Sequence, residues 1–315
     1  MNFIKQCIAT GVAFSCVTIL TLTPGPQASA AEGDAQKERQ PFSFEVSTGL
    51  RYSSKVSIEE LDTFTSGDLA ALLGAEARFK LKLTCNTRIN LGYDFSQSLQ
   101  EDLGQFNIQS HFASAEFFHD LGKIKVGVAQ RYLLSRLDGA NFLTYRQTAP
   151  CLTMFLSKKV FLRAELGFAD KDFDIINERD ADVRSAGADV FLFLNGSKTY
   201  LLFGYRIDQQ DAVAAEHEFD RNNFKIHLIK KIRLGERDLK LNIGWRYEIR
   251  DYSDITPSIG VVRDERRGKI RAQIDLPLME RFEATFKYEF RNIQSNLPTV
   301  DRTDNYASIE LRARF

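Results

Sequence analysis

The chain has 315 residues, and its 42 Lys and Arg are balanced by 42 Asp and Glu. That balance argues against a general nucleic-acid binder. After the first thirty residues no run of eighteen apolar residues occurs, which excludes helical membrane spans.

The N-terminus reads as an export signal. Lys5 supplies the positive charge, and Cys7 to Thr23 form an apolar run broken by Pro24, Gly25 and Pro26. Ala28-Ser29-Ala30 fits the small-x-small cleavage rule. The expected division is a signal peptide over 1–30, a charged periplasmic tether over 31–41 and one domain over 42–315.

Within that domain strands alternate apolar and polar residues at period two. Phe42, Phe44, Val46, Leu50 and Tyr52 share a face of the first. Ala75, Ala77, Phe79, Leu81 and Leu83 oppose Glu76, Arg78, Lys80 and Lys82 in the second, and Ile89, Leu91, Tyr93 and Phe95 oppose Arg88, Asn90 and Asp94 in the third. Connections then alternate in length. Short links fall near 84–86, 120–123, 157–159, 195–197, 235–238 and 278–281. Long polar ones fall near 53–67, 96–104, 136–141, 170–182, 208–221, 251–266 and 292–304. Short turns on one rim and long loops on the other predict an all-β fold: a closed, antiparallel, up-and-down transmembrane β-barrel of about fourteen strands in the bacterial outer membrane, short turns periplasmic. Strands of nine to eleven residues suffice to cross. A secreted β-sandwich would also alternate, but its strands are usually shorter.

The pattern is weakest where both faces are apolar, at Phe117-Phe118, 183–194 and 200–207. It is cleanest at the end. Phe282, Ala284, Phe286, Tyr288 and Phe290 face away from Glu283, Thr285, Lys287, Glu289 and Arg291, and the last strand closes on Phe315. Aromatic residues expected at strand ends, as an interfacial girdle, include Tyr52, Tyr132, Tyr145, Trp245, Tyr247, Tyr252 and Phe315.

If the apolar face meets lipid, the other lines a lumen. Candidate lining residues are Arg78, Lys80, Arg88, Arg131, Arg163, Arg206, Arg246, Glu248, Arg250, Arg271, Lys287, Glu289, Glu310 and Arg312. Over all the charged residues of that face, basic side chains outnumber acidic ones by roughly two to one, which favours anions in a narrow channel. The alternative is a mutually neutralised ladder that stiffens the wall, favoured by the proximity of Arg246 to Glu248 and of Lys287 to Glu289. Residues 251–264 are long enough to enter the mouth as a constriction or to stand outside as a cover.

Other chemistry is thinly represented. The acidic runs 208–211 and 216–220 are candidates for a cation but also read as solvated loop surface. No cofactor is expected. An enzyme needs a nucleophile or water beside a base. His111, His119, His217 and His227 are the only histidines, and no catalytic constellation surrounds them. Cys85, in a predicted turn, and Cys151, mid-strand, are expected to be free thiols.

Several segments resemble the barrel of the surface lipoprotein assembly modifier family: Leu137-Asp138-Gly139-Ala140-Asn141-Phe142-Leu143, Tyr205-Arg206, Arg250-Asp251-Tyr252 with Arg263-Asp264, and Tyr288-Glu289-Phe290-Arg291-Asn292 with Ser295-Asn296. The resemblance implies a fourteen-stranded barrel that helps move lipoproteins to the cell surface. In that family the barrel follows a periplasmic helical-repeat domain, for which 31–41 leaves no room. The implied functions are a channel or translocation pore, a barrel module working with a separate periplasmic helical-repeat partner, or a plugged structural or adhesive barrel. The last strand, with Tyr306, Ile309, Leu311, Ala313 and Phe315, resembles the assembly signal read by the barrel-assembly machinery, a transient partner beside outer-membrane lipid.

Overall fold

A computed structural model describes residues 41–315, except 236. The expected signal peptide and nearly all of the tether lie outside the described residues. The strands are β1 (Phe42–Ser53), β2 (Ser57–Ile58), β3 (Thr63–Phe64), β4 (Asp68–Lys82), β5 (Thr87–Gln100) and β6 (Ile108–Asp120). They continue as β7 (Ile124–Leu137), β8 (Ala140–Ser157), β9 (Val160–Phe173), β10 (Ala181–Asn195) and β11 (Thr199–Ala212). The last five are β12 (Phe219–Leu234), β13 (Arg237–Thr256), β14 (Val261–Pro277), β15 (Phe282–Ser295) and β16 (Arg302–Arg314). All but β2 and β3 form one closed antiparallel barrel of fourteen strands, each paired with its neighbours in order. Closure joins β1 to β16 from Glu45 opposite Arg314 to Ser53 opposite Tyr306. Among the described residues the barrel has no unpaired strand edge, as lipid requires.

The barrel strands run 12 to 20 residues, longer than the crossing length expected from sequence. The excess lies mostly at the long-loop rim. Segments read as loops prove to be strand: β11 continues to Ala212, β13 to Thr256, and β14 begins at Val261. Beyond the hydrocarbon both faces of a strand can be polar, so alternation fades while backbone pairing continues.

Apolar side chains cover the outside. Leu50, Tyr52, Leu91, Phe168, Trp245, Tyr288 and Ile309 are all exposed, as a lipid-facing band requires. Tyr145 and Tyr252 depart from the expected girdle. Their register partners Lys171 and Phe219 lie on the inward face, and Tyr252 is buried beneath Arg263.

The stretches with two apolar faces have a physical reason. Phe117 faces out, whereas Phe118 is buried inside the wall with the Arg88 guanidinium 4.9 Å from its ring. Phe161, Phe191 and Leu202 form a buried inward cluster, with Phe193 and Tyr200 packed on it, toward the short-turn rim. Side chains facing inward are not uniformly polar here, because they pack on one another instead of meeting water.

Candidate functional site

The fourteen candidate lining residues all lie on the inward face, opposite the exposed apolar band. Their partners come from several strands. Arg78 pairs with Asp94 at 2.6 Å and Glu76 at 3.2 Å. Arg131, Arg163 and Arg206 converge on Glu165 at 2.9, 2.9 and 3.1 Å. Arg250 pairs with Glu248 at 2.5 Å, Arg271 donates to Gln273 at 2.7 Å, and Arg312 lies 3.6 Å from Glu310. Lys80 is exposed, and Arg246 sits between Lys225 and Lys269 in register. Lys287 does not pair with Glu289 as expected. It reaches Glu310 at 2.6 Å, because Lys269 at 2.8 Å and Arg291 at 2.5 Å occupy Glu289.

Several ion pairs span a strand to which neither partner belongs. Arg206 on β11 reaches Glu165 on β9 across Gly187, and Lys225 on β12 reaches Asp189 on β10 across Gly204. A Cβ at Gly204 would stand 2.1 Å from Lys225 Cε and 2.4 Å from Asp189 Oδ1. The missing side chain is what lets the pair lie flat on the wall.

The dominant feature of the outer mouth is the first long loop, residues 54–67. It turns inward, with β2 and β3 as a small hairpin closed by Val56 N–H to Ser66 O at 3.1 Å and Thr65 N–H to Val56 O at 2.8 Å. One flank is apolar. Ile58 is buried with Phe142, Leu143, Phe173 and Ile176, and Leu61 packs against them. The other flank is ionic. Asp62 accepts from Arg263 at 2.6 and 2.9 Å and also from Arg179. Glu59 pairs with Arg267 at 2.5 Å and lies 3.7 Å from Arg291. Arg263 and Arg267 share Glu265, which is fully buried. Arg302 donates to Ser57 Oγ at 3.0 Å, and the Tyr306 ring lies 4.4 Å under the Arg291 guanidinium.

Residues 54–67, not 251–264, therefore occupy the mouth. The latter form the standing ends of β13 and β14, from which Arg263 reaches in to hold the loop. Tyr306 shares this inward seat, whereas Ile309 and Leu311 of the expected assembly signal are exposed on the outer face, and Phe315 is exposed at the end of the chain.

Beneath the loop lies a cavity of about 30 Å³ bordered by Glu60, Lys171, Gln210, His217, Arg221 and Arg250. Burial beside Glu59 pushes the Glu60 carboxyl up to about 7, against the pull of Lys171. Burial would likewise raise Asp62, but Arg179 and Arg263 hold it well below the usual carboxylate range. Burial, reinforced by Arg179, lowers His217 to about 4.

The remaining histidines have ordinary partners: Tyr93 for His111 at 2.8 Å, Thr87 for His119 at 3.0 Å and Asn242 for His227 at 3.4 Å. Asp208, from the first acidic run, is on β11 and accepts from Arg221 at 2.9 Å. Among the described residues no group of three or more His, Cys, Asp or Glu is placed to hold a metal ion. Cys85 is exposed and Cys151 buried, both free thiols.

No family model and no curated sequence matches the chain. Solved structures do match in fold. In-vitro folded OmpT, an outer membrane protein of Vibrio cholerae in its trimer form, superposes with a TM-score of 0.53 at 10% identity, covering 87% of this chain and 98% of that one. CdiB from Acinetobacter baumannii gives 0.51 at 11% identity, covering 88% of this chain and 60% of CdiB. At such identities the likeness concerns the fold. With the closed wall and its apolar belt, it places the protein in the bacterial outer membrane.

Proposed function

We propose that this protein is a passive channel for small solutes, narrowed at its outer mouth by residues 54–67 and favouring anions. The observation that carries this reading is the pairing of an inward-folded acidic loop with a wall whose inward face is basic in excess. Acidic partners are shared, three arginines to Glu165 and two to Glu265, so the wall retains positive charge after its ion pairs are made. In a narrow, low-dielectric passage that charge favours anion entry.

The test is conductance of the purified barrel in planar bilayers under a potassium chloride gradient. A reversal potential on the chloride side is expected, with larger unitary current once residues 55–66 are replaced by a short Gly-Ser linker. Absence of current from both proteins would leave a structural or adhesive barrel.

A second reading, a barrel module of a surface lipoprotein or polymer export system, rests on where the family-like segments fall. Leu143, Arg250, Tyr252, Arg263 and Arg291 all gather at the seat of the first loop. Co-purification of a periplasmic helical-repeat protein would favour it. Assembly through the terminal strand by the barrel-assembly machinery is proposed for either reading.

A further inference from the structure

The arginines that hold the first loop are paired with carboxylates of the protein itself. Arg179, Arg221, Arg250, Arg263, Arg267 and Arg291 gather around the outer mouth. The wall opposes them with four carboxylates, Asp208, Glu248, Glu265 and Glu289. One of these, Glu289, is shared with Lys269. Without the first loop the mouth therefore carries at least two positive charges in excess. Two of the loop's three carboxylates pair with these arginines, one per end of the site: Asp62 between Arg179 and Arg263, Glu59 between Arg267 and Arg291, while Glu60 borders the cavity beneath with Lys171.

Arg263, Arg267 and Glu265 are buried, so their charges are weakly screened and an uncompensated surplus is costly. Arginine also suits carboxylates, since its planar fork can bind both oxygens, as Arg263 does on Asp62.

We infer that residues 54–67 act as a built-in stand-in for the solute, and that the solute is a small dianion with two separated carboxylates which displaces Glu59 and Asp62 from the arginines. This rests on the channel reading and specifies its substrate class. Entry of such a solute exchanges one pair of carboxylates for another, so the wall stays compensated while the loop swings clear. A monoanion restores half of the lost charge and a neutral solute none. Inorganic phosphate, with its charge on one centre, reaches only one end of the site.

The probes are glutarate, acetate and inorganic phosphate, titrated calorimetrically at pH 7.5 into the detergent-solubilised full-length barrel. Neutralising the stand-in by E59Q/D62N removes the competitor but leaves the wall intact. Glutarate is expected to bind that variant at least tenfold more tightly than the unaltered protein, and at least tenfold more tightly than acetate or phosphate. Adding R179Q, which lies outside the barrel wall, is expected to reverse at least tenfold of the gain. Heat-modifiable electrophoretic mobility, equal in all variants, reports that the barrel is folded.

Equal glutarate affinity with and without the loop carboxylates would overturn the inference, as would equal affinity for acetate and glutarate. Bilayer current separates the two levels. Anion-favouring current without glutarate discrimination removes only the dianion site. No current from any variant, the loop-replaced barrel included, removes the channel reading beneath it.

Discussion

Arg263 shows how strongly the mouth depends on single side chains. The residue is 3% exposed, and its guanidinium lies 4.7 Å over the Tyr252 ring and is bonded to Asp62 and Glu265. Removing one member of a buried ion pair leaves the other uncompensated, at a cost on the order of 3–5 kcal/mol. Asp62→Ala strands Arg179 and Arg263 only while the loop stays seated, so the loop relieves the cost by leaving. Mean bilayer current is expected to rise in Asp62→Ala, and less in Asp62→Asn, whose amide oxygen still accepts. A current unchanged from the unaltered protein in both would show that Asp62 does not hold the loop. Gly204 tests the wall in the same way. Gly204→Val places carbon where the Lys225–Asp189 pair lies, so the pair must lift away. Overpacking of this kind costs roughly 1–3 kcal/mol, read as a lower urea midpoint for unfolding from lipid vesicles.

At the scale of the element, the first loop couples to pH through two groups with opposite signs. Seated, Glu60 titrates near 7 against an ordinary 4.5, so it supports seating fully below pH 4.5 and that support is lost as pH rises through about 7. His217, lowered to about 4 from 6.5, supports seating above pH 6.5, and its support is lost as pH falls through about 4. Each contributes about 1.4 kcal/mol per pH unit within its window. The windows overlap and cancel, so open probability is expected to be nearly flat between pH 4.5 and 6.5. Single variants should unmask each part: Glu60→Gln opens on acidification, and His217→Gln opens as pH rises. Identical flat profiles in both variants would separate these residues from loop movement. The sequence only partly disclosed this element. Residues 53–67 read as a long polar loop, which is the composition of solvated loops and inward-folded ones alike. The usable signal was the apolar set Val56, Ile58 and Leu61, too regular for a loop in water. Arg263 belongs to a family-like segment, but its inward position is not legible because it stands on a strand end whose two polar faces hide the alternation.

For the whole molecule, the wall was legible because lipid permits few choices. Alternation at period two, links that mostly alternate in length, and the need to close every edge leave little besides an even barrel. Which side chains share a face was legible for the same reason, since one register assigns every side chain to a face. What period and order do not give is which partner an inward charge selects. Glu165 draws Arg131 and Arg206 across intervening strands, and that depends on curvature and on small residues such as Gly187. Orientation follows from the same architecture and can be checked through Cys85, which is exposed in the short turn between β4 and β5, while Cys151 is buried on the inward face. With short turns periplasmic, a polymer-linked maleimide too large for outer-membrane pores should leave intact cells unlabelled. It should modify the barrel once the outer membrane is permeabilised, and Cys85→Ser should abolish that signal while Cys151→Ser does not. Labelling of Cys85 in intact cells would invert the barrel. The first loop would then face the periplasm, and its arginine seat would meet solutes leaving the cell instead of entering it.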